Sequence, residues 1–136
     1  MELGSEQEEN AERLQFGALF SDAERCQPLL ICEVAEVLRQ KRAELPAELQ
    51  SSLSPVFTKA ETYTERFNQF RSAEVAKVVR ARLERHPELH PFERTQLANL
   101  LPETAAEAKS IIPSLKGKID DDVLAQLLHD LAALVE

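Results

Sequence analysis

The sequence predicts a mainly α protein: an N-terminal docking arm with a short strand and helices, followed by a helical C-terminal domain. Apolar residues recur at helical spacing through most of the chain after Pro28. Seven prolines, at Pro28, Pro46, Pro55, Pro87, Pro91, Pro102 and Pro113, punctuate that pattern at the expected helix boundaries. Only one stretch, Leu14 to Phe20, alternates with a period of two.

Residues 1–11 are polar, acidic and aperiodic, a composition that buries too little surface to order itself. Leu14, Phe16, Ala18 and Phe20 then fall on alternate positions, which reads as a strand. A single strand cannot satisfy its own backbone groups, and no second strand is legible. The alternation therefore predicts an arm that adds to another chain's sheet. The competing expectation is an arm lying over its own helices.

Pro28 suits the first turn of a helix, and Leu30, Val34, Val37 and Lys41, beside Ile31, Ala35 and Leu38, trace a wide apolar stripe in a helix that runs to about Glu44. Pro46 and the Gln50–Pro55 stretch interrupt it as a loop. Val56, Ala60, Tyr63, Phe67 and Phe70 are spaced on one helical seam, and such an aromatic stripe is expected to be core. Ser72 is placed to cap a third helix whose buried face is Val75, Val78, Val79 and Leu83. His90 and Pro91 open a fourth, turning Leu97, Leu100 and Leu101 inward until Pro102. Thr104 and Glu107 form a capping box for a fifth, which Pro113 closes. Asp120, flanked by a staple of Ile119 and Leu124, opens a sixth with Leu124, Leu127, Leu128, Leu131 and Val135 facing the core. These elements divide into an acidic tail (1–11), an arm and helices that dock on a partner (12–71), and a helical domain (72–136).

The function classes narrow by exclusion. With 136 residues and 43% hydrophobic composition, one core is the default. No apolar run is long enough for a membrane span, and the acidic start is unlike a basic presequence. Cys26 and Cys32 lack the neighbours of a zinc site or disulfide framework and read as reduced thiols. The three glycines form no phosphate-binding loop, so no cofactor is expected. His86, His90 and His129 read as solvated cap or loop residues, and Asp120, Asp121 and Asp122 lack the spacing of a calcium loop. No nucleophile elbow or marked carboxylate pair is present, so the chain is expected to be non-enzymatic.

The net charge of −8, concentrated in the first 27 residues, removes the broad cationic field that would give independent nucleic-acid affinity. The densest basic region, Lys77, Arg80, Arg82, Arg85 and Arg94, is offset by Glu84, Glu88 and Glu93. It reads chiefly as a solvated face, with Lys77, Arg80, Arg82 and Arg85 the candidates for a weak RNA contact.

The run from Leu97 to Leu115, LANLLPETAAEAKSIIPSL, resembles the signature of the RNA polymerase II subunit four (stalk subunit) family, which has an archaeal RNA polymerase counterpart. Leu89–Glu93, Tyr63–Phe70 and Asn10–Phe16 resemble the same family, so the likeness covers nearly the whole chain. Leu101 departs from it, standing where many relatives have cysteine. So does the end at Leu134-Val135-Glu136, without the basic, aromatic tail common in relatives. The resemblance implies a C-terminal domain of the HRDC-like kind and a nuclear location. It also implies a heterodimer with polymerase subunit seven, joined to core RNA polymerase II, that supports initiation and handles nascent RNA mainly through the partner. On it, Leu14, Phe16, Phe20, Leu30 and Val34 are the expected partner interface. The alternative class is an independent helical HRDC-type nucleic-acid-binding or adaptor module.

Overall fold

A computed structural model describes residues 8–18, 20 and 26–136. Among these, the regular structure is helical: α1 (Ile31–Glu44), α2 (Ala47–Gln50), α3 (Pro55–Phe67), α4 (Ala73–Glu84), α5 (Pro91–Leu100), α6 (Ala105–Ile111) and α7 (Asp121–Ala132), with 3-10 turns at Ala11–Arg13 and Pro113–Leu115. The mainly α class stands, and no described helix is long and apolar enough to cross a membrane.

Most helix starts follow from side chains that satisfy orphan amides. Ser54 Oγ accepts from Phe57 N (3.2 Å), with Pro55 in the first turn, and Ser72 Oγ accepts from Val75 N (3.1 Å). His90 Nδ1 accepts from Phe92 N (3.1 Å) while Glu93 closes back on His90 N (2.7 Å). Thr104 accepts from Glu107 N (3.1 Å), but the Glu107 carboxylate reaches Glu103 N rather than the threonine amide, so the box closes one residue early. Asp120 precedes α7 without a side-chain cap bond, and its neighbour Asp121 pairs with Lys109 instead (2.6 Å). The staple of Ile119 and Leu124 is buried as the pattern predicts.

One hydrophobic cluster runs from Leu30 and Cys32 through Phe70, Val79, Leu83, Leu89, Leu97 and Leu115 to Leu124 and Leu131. It forms because α1 packs on α4, and α4 and α6 pack on α7; α3 packs on α1 without adding a residue to the cluster. Burial pushes the Cys32 thiol up to about 11, with the Glu33 charge adding to the effect, so it stays protonated and inert at neutral pH.

Four expectations about burial fail. The seam of α3 faces outward: Val56 is 77%, Tyr63 58% and Phe67 49% exposed, and only Phe70, beyond the helix, enters the core. The side of α3 that meets α1 instead carries polar residues that satisfy one another. Glu61 takes a bidentate contact from Arg42, and buried Thr64 donates to the Glu61 carbonyl (2.9 Å). Leu100, the last residue of α5, also points out, and Leu101 caps the helix in the left-handed region (φ 45°). Val78 and Val135 are exposed as well.

The predicted strand is absent among the described residues. In its place Asn10 Oδ1 accepts from Glu12 N (3.0 Å) and Arg13 N (3.3 Å), starting a 3-10 turn at Ala11. Leu14 closes that turn at φ 55°, a conformation incompatible with a continuous strand, and Asn10 and Gln15 form an isolated bridge. The remainder of the predicted acidic tail, residues 1–7, lies outside the described residues.

Candidate functional site

The arm rests on the start of α5, and the end of α5 together with α4 holds the start of α1. Phe16, half-buried, rests on the rings of His90 (5.4 Å between centroids) and Phe92 (5.1 Å). The arm therefore lies over its own helix, for which its apolar side chain supplies the affinity. Leu14 is half-buried, whereas Phe20 is 59% exposed.

Two other helices pin the start of α1, and its own first turn closes on it. Asn99 of α5 accepts from Ile31 N (3.0 Å), and Glu33 accepts from Leu30 N (2.8 Å). Arg80 of α4 pairs with Glu33 and donates to the Pro28 carbonyl (3.1 Å). Leu30, 1% exposed, consequently points into the core, while Leu29 and Val37 face solvent and Val34 is half-buried between them. Of the five expected interface residues, Phe20 thus offers accessible surface, Leu14, Phe16 and Val34 offer part of theirs, and Leu30 offers none.

The basic candidates divide in the same way. Arg80 is taken up by Glu33 and Pro28, and Arg82 lies 3.5 Å from Asp130, whereas Lys77 and Arg85 are exposed. Arg80→Ala should lower stability by about 1.5–3 kcal/mol, the worth of hydrogen bonds to a charged partner. Lys77→Ala should change it by less than about 0.5 kcal/mol. Urea denaturation of both variants checks this, and equal midpoints would contradict Arg80's structural role.

Beneath the arm, burial holds the His90 ring below its ordinary value, against the opposing pull of Glu93 and with Lys118 and Arg94 adding to the depression. The folded form then binds a proton less readily than the unfolded chain. Its contribution is complete above the ordinary value of 6.5 and is lost as the pH falls below it. His90→Asn keeps an acceptor for the Phe92 amide. Its stability should fall less than the parent's between about pH 7.5 and about pH 5.5, measured as the urea midpoint. Parallel curves would refute the assignment.

Among the described residues no group of three or more His, Cys, Asp or Glu side chains converges as a metal site would require. The accessible features of the arm and of the start of α1 are apolar side chains and a pinned helix start, which is the chemistry of docking.

The match to known proteins decides the family. Residues 28–135 match the model of the family described as RNA polymerase Rpb4. The chain belongs to that family. It is 37% identical to the Arabidopsis thaliana DNA-directed RNA polymerase II subunit 4, across 96% of each chain. It is 34% identical to the rpb4 subunit of Dictyostelium discoideum (96% of this chain, 92% of the relative) and 34% identical to that of Schizosaccharomyces pombe (93% and 92%).

In this member of the Rpb4 family, the Leu97–Leu115 run supplies the Asn99 contact to the start of α1 and part of the core behind it. Leu97, Ala98, Ala108 and Leu115 are buried, Asn99 caps α1, and Ser114 reaches back to Glu93 (2.7 Å). Sequence reasoning misses Asn99 and Glu93. Their partners, Ile31 and Ser114, lie 68 and 21 residues away, and no local spacing signals such a pair.

Proposed function

We propose that this chain is a non-catalytic stalk subunit of DNA-directed RNA polymerase II that forms a heterodimer with subunit seven. The observation that carries the reading is 34–37% identity, over nearly the whole of each chain, to relatives that bear the name of polymerase II subunit four. In this reading residues 12–71 dock on subunit seven and residues 72–136 form the HRDC-like helical domain. The pair joins the core polymerase in the nucleus, supports initiation, and handles nascent RNA mainly through subunit seven.

The docking surface centres on Leu29, Val34 and Val37, which put apolar area in water beside a rigidly held helix start, with Phe20 exposed on the arm. Leu14 and Phe16 extend it where the arm crosses α5. Lys77 and Arg85 remain the basic side chains open to a weak RNA contact, and the net charge of −8 keeps that contact secondary.

Co-expression with subunit seven, followed by size-exclusion chromatography with light scattering, tests the reading. A stable one-to-one complex is expected, and Val34→Asp with Val37→Asp should weaken it by about 100-fold or more, because each buries a carboxylate at the contact. A chain that ignores subunit seven overturns the heterodimer and leaves the independent helical module. A complex untouched by the double substitution overturns the surface.

A further inference from the structure

The outward seam of α3 is the largest feature that this docking surface does not use. Val56, Ala60, Tyr63 and Phe67 are exposed at spacings of four, three and four residues, so they line one face for three turns, about 17 Å. Glu61, roughly 130° around the helix from this seam at 100° per residue, is held by Arg42 of α1, so the seam turns away from α1. Tyr63 and Phe67 pack against each other with centroids 4.9 Å apart, forming a raised aromatic ridge.

Its charge is one-sided. Lys59 and Arg66 border the seam and, with Thr58, Thr62, Tyr63 and Phe67, line a shallow groove of about 300 Å³. Arg66 sits 5.8 Å from the Phe67 ring centroid. The acids of α3 lie elsewhere: Glu61 is paired with Arg42, and Glu65 lines the opposite groove between α3 and α1. On a chain of net charge −8, an apolar seam bordered by two cations and no acid selects its partner by sign.

We propose that this face of α3 is a second docking site, and that it takes an acidic amphipathic helix of another protein. Apolar residues of that helix at matching four-and-three spacing cover Val56, Tyr63 and Phe67, while its carboxylates meet Lys59 and Arg66. Half of the seam, Val56 and Ala60, is aliphatic and gives a nucleobase no ring to stack on, so a protein segment fits the face better than single-stranded RNA. The site is separate from the Phe20, Leu29, Val34 and Val37 surface and does not depend on subunit seven binding there.

The test uses the full chain, alone and with subunit seven bound, and two synthetic helix-forming peptides of roughly 20 residues. Both carry leucine at the matching spacing; one is flanked by glutamate, the other by lysine. Amide resonances of Val56, Lys59, Tyr63, Arg66 and Phe67 are followed by nuclear magnetic resonance. The glutamate peptide should shift them and the lysine peptide should not. Lys59→Glu with Arg66→Glu, both at exposed positions of α3, should weaken the glutamate peptide about tenfold and admit the lysine one. Retention of the shifts with subunit seven bound supports a second site. Equal response to both peptides, a stronger response to a single-stranded oligouridylate, self-association abolished by Tyr63→Asp, or loss of binding when subunit seven occupies the chain would each overturn it.

Discussion

Replacing Glu93 by alanine should destabilise the chain by about 3–5 kcal/mol, the cost of removing one partner from a buried ion pair. Against a total of roughly 5–15 kcal/mol for a domain, that is enough to leave part of the population unfolded. The carboxylate is 0% exposed and accepts three hydrogen bonds of 2.7 Å, from His90 N, Ser114 Oγ and Lys118 Nζ. It therefore joins the start of α5 to the 3-10 turn after α6 and to the loop before α7. Lys118 reaches it because Gly117 turns the chain at φ 75°, a value that side chains disfavour. Without the carboxylate, a half-buried ammonium, a hydroxyl and an amide lose their acceptor together.

Glu93→Gln should recover only part of the loss: its carbonyl can accept from His90 N and Lys118 Nζ while its NH2 donates to the Ser114 hydroxyl, but no charge is left to balance Lys118. Urea denaturation of both variants measures the cost. A double-mutant cycle with Lys118→Met would show coupling of about 1–3 kcal/mol if the two groups act as one unit. A Glu93→Ala variant within about 1 kcal/mol of the parent would mean that water replaces the three donors' partner, and that these elements are held by packing alone.

Glu93 also marks where sequence reasoning stops. Its role at the start of α5 is local, three residues from His90, and the HPFE spacing makes it readable as a capping glutamate. Its burial depends on Ser114 and Lys118, residues that nothing local connects to it, so from sequence it reads as a charge offsetting the basic region. Arg80 misleads in the same way. Its charge is visible, but its pairing with Glu33, 47 residues earlier, is not.

Helix ends are legible for the opposite reason. Ser72, His90-Pro91 and Thr104 act on amides two or three residues away, and the structure places α4, α5 and α6 behind them. The outward face of α3 misleads because a helical seam has the same period whether it meets its own core or another chain. Only the position of α1, against Glu61 and Thr64, decides which side is buried. The arm's alternation is likewise ambiguous. The same Leu14 and Phe16 suit a strand, yet the Asn10 cap and the rings of His90 and Phe92 draw them into a turn over α5. The family itself is the most legible property, because the Leu97–Leu115 run combines the caps, prolines and buried positions of two helices in fixed order.

The distinction between folding and docking should then appear within one helix start. Leu30→Ala is expected to cost about 2–5 kcal/mol, the range for truncating a fully buried leucine, because its side chain belongs to the cluster that joins α1 to the rest of the core. Val37→Asp, seven residues on at a 44% exposed position, should change the stability of the lone chain by less than about 0.5 kcal/mol. The pair should reverse in the heterodimer assay. At protein concentrations where both variants remain folded, Leu30→Ala should still bind subunit seven as the parent does, and Val37→Asp should bind it about tenfold more weakly. Denaturation midpoints of the lone chains and light scattering of the mixtures provide the two readouts. If Leu30→Ala keeps its stability yet loses the partner, Leu30 leaves the core to meet subunit seven, and the start of α1 must rearrange on binding. If each variant moves only its expected readout, the Asn99 and Arg80 contacts hold α1 in one orientation, with Leu30 turned inward and Val37 outward before any partner arrives.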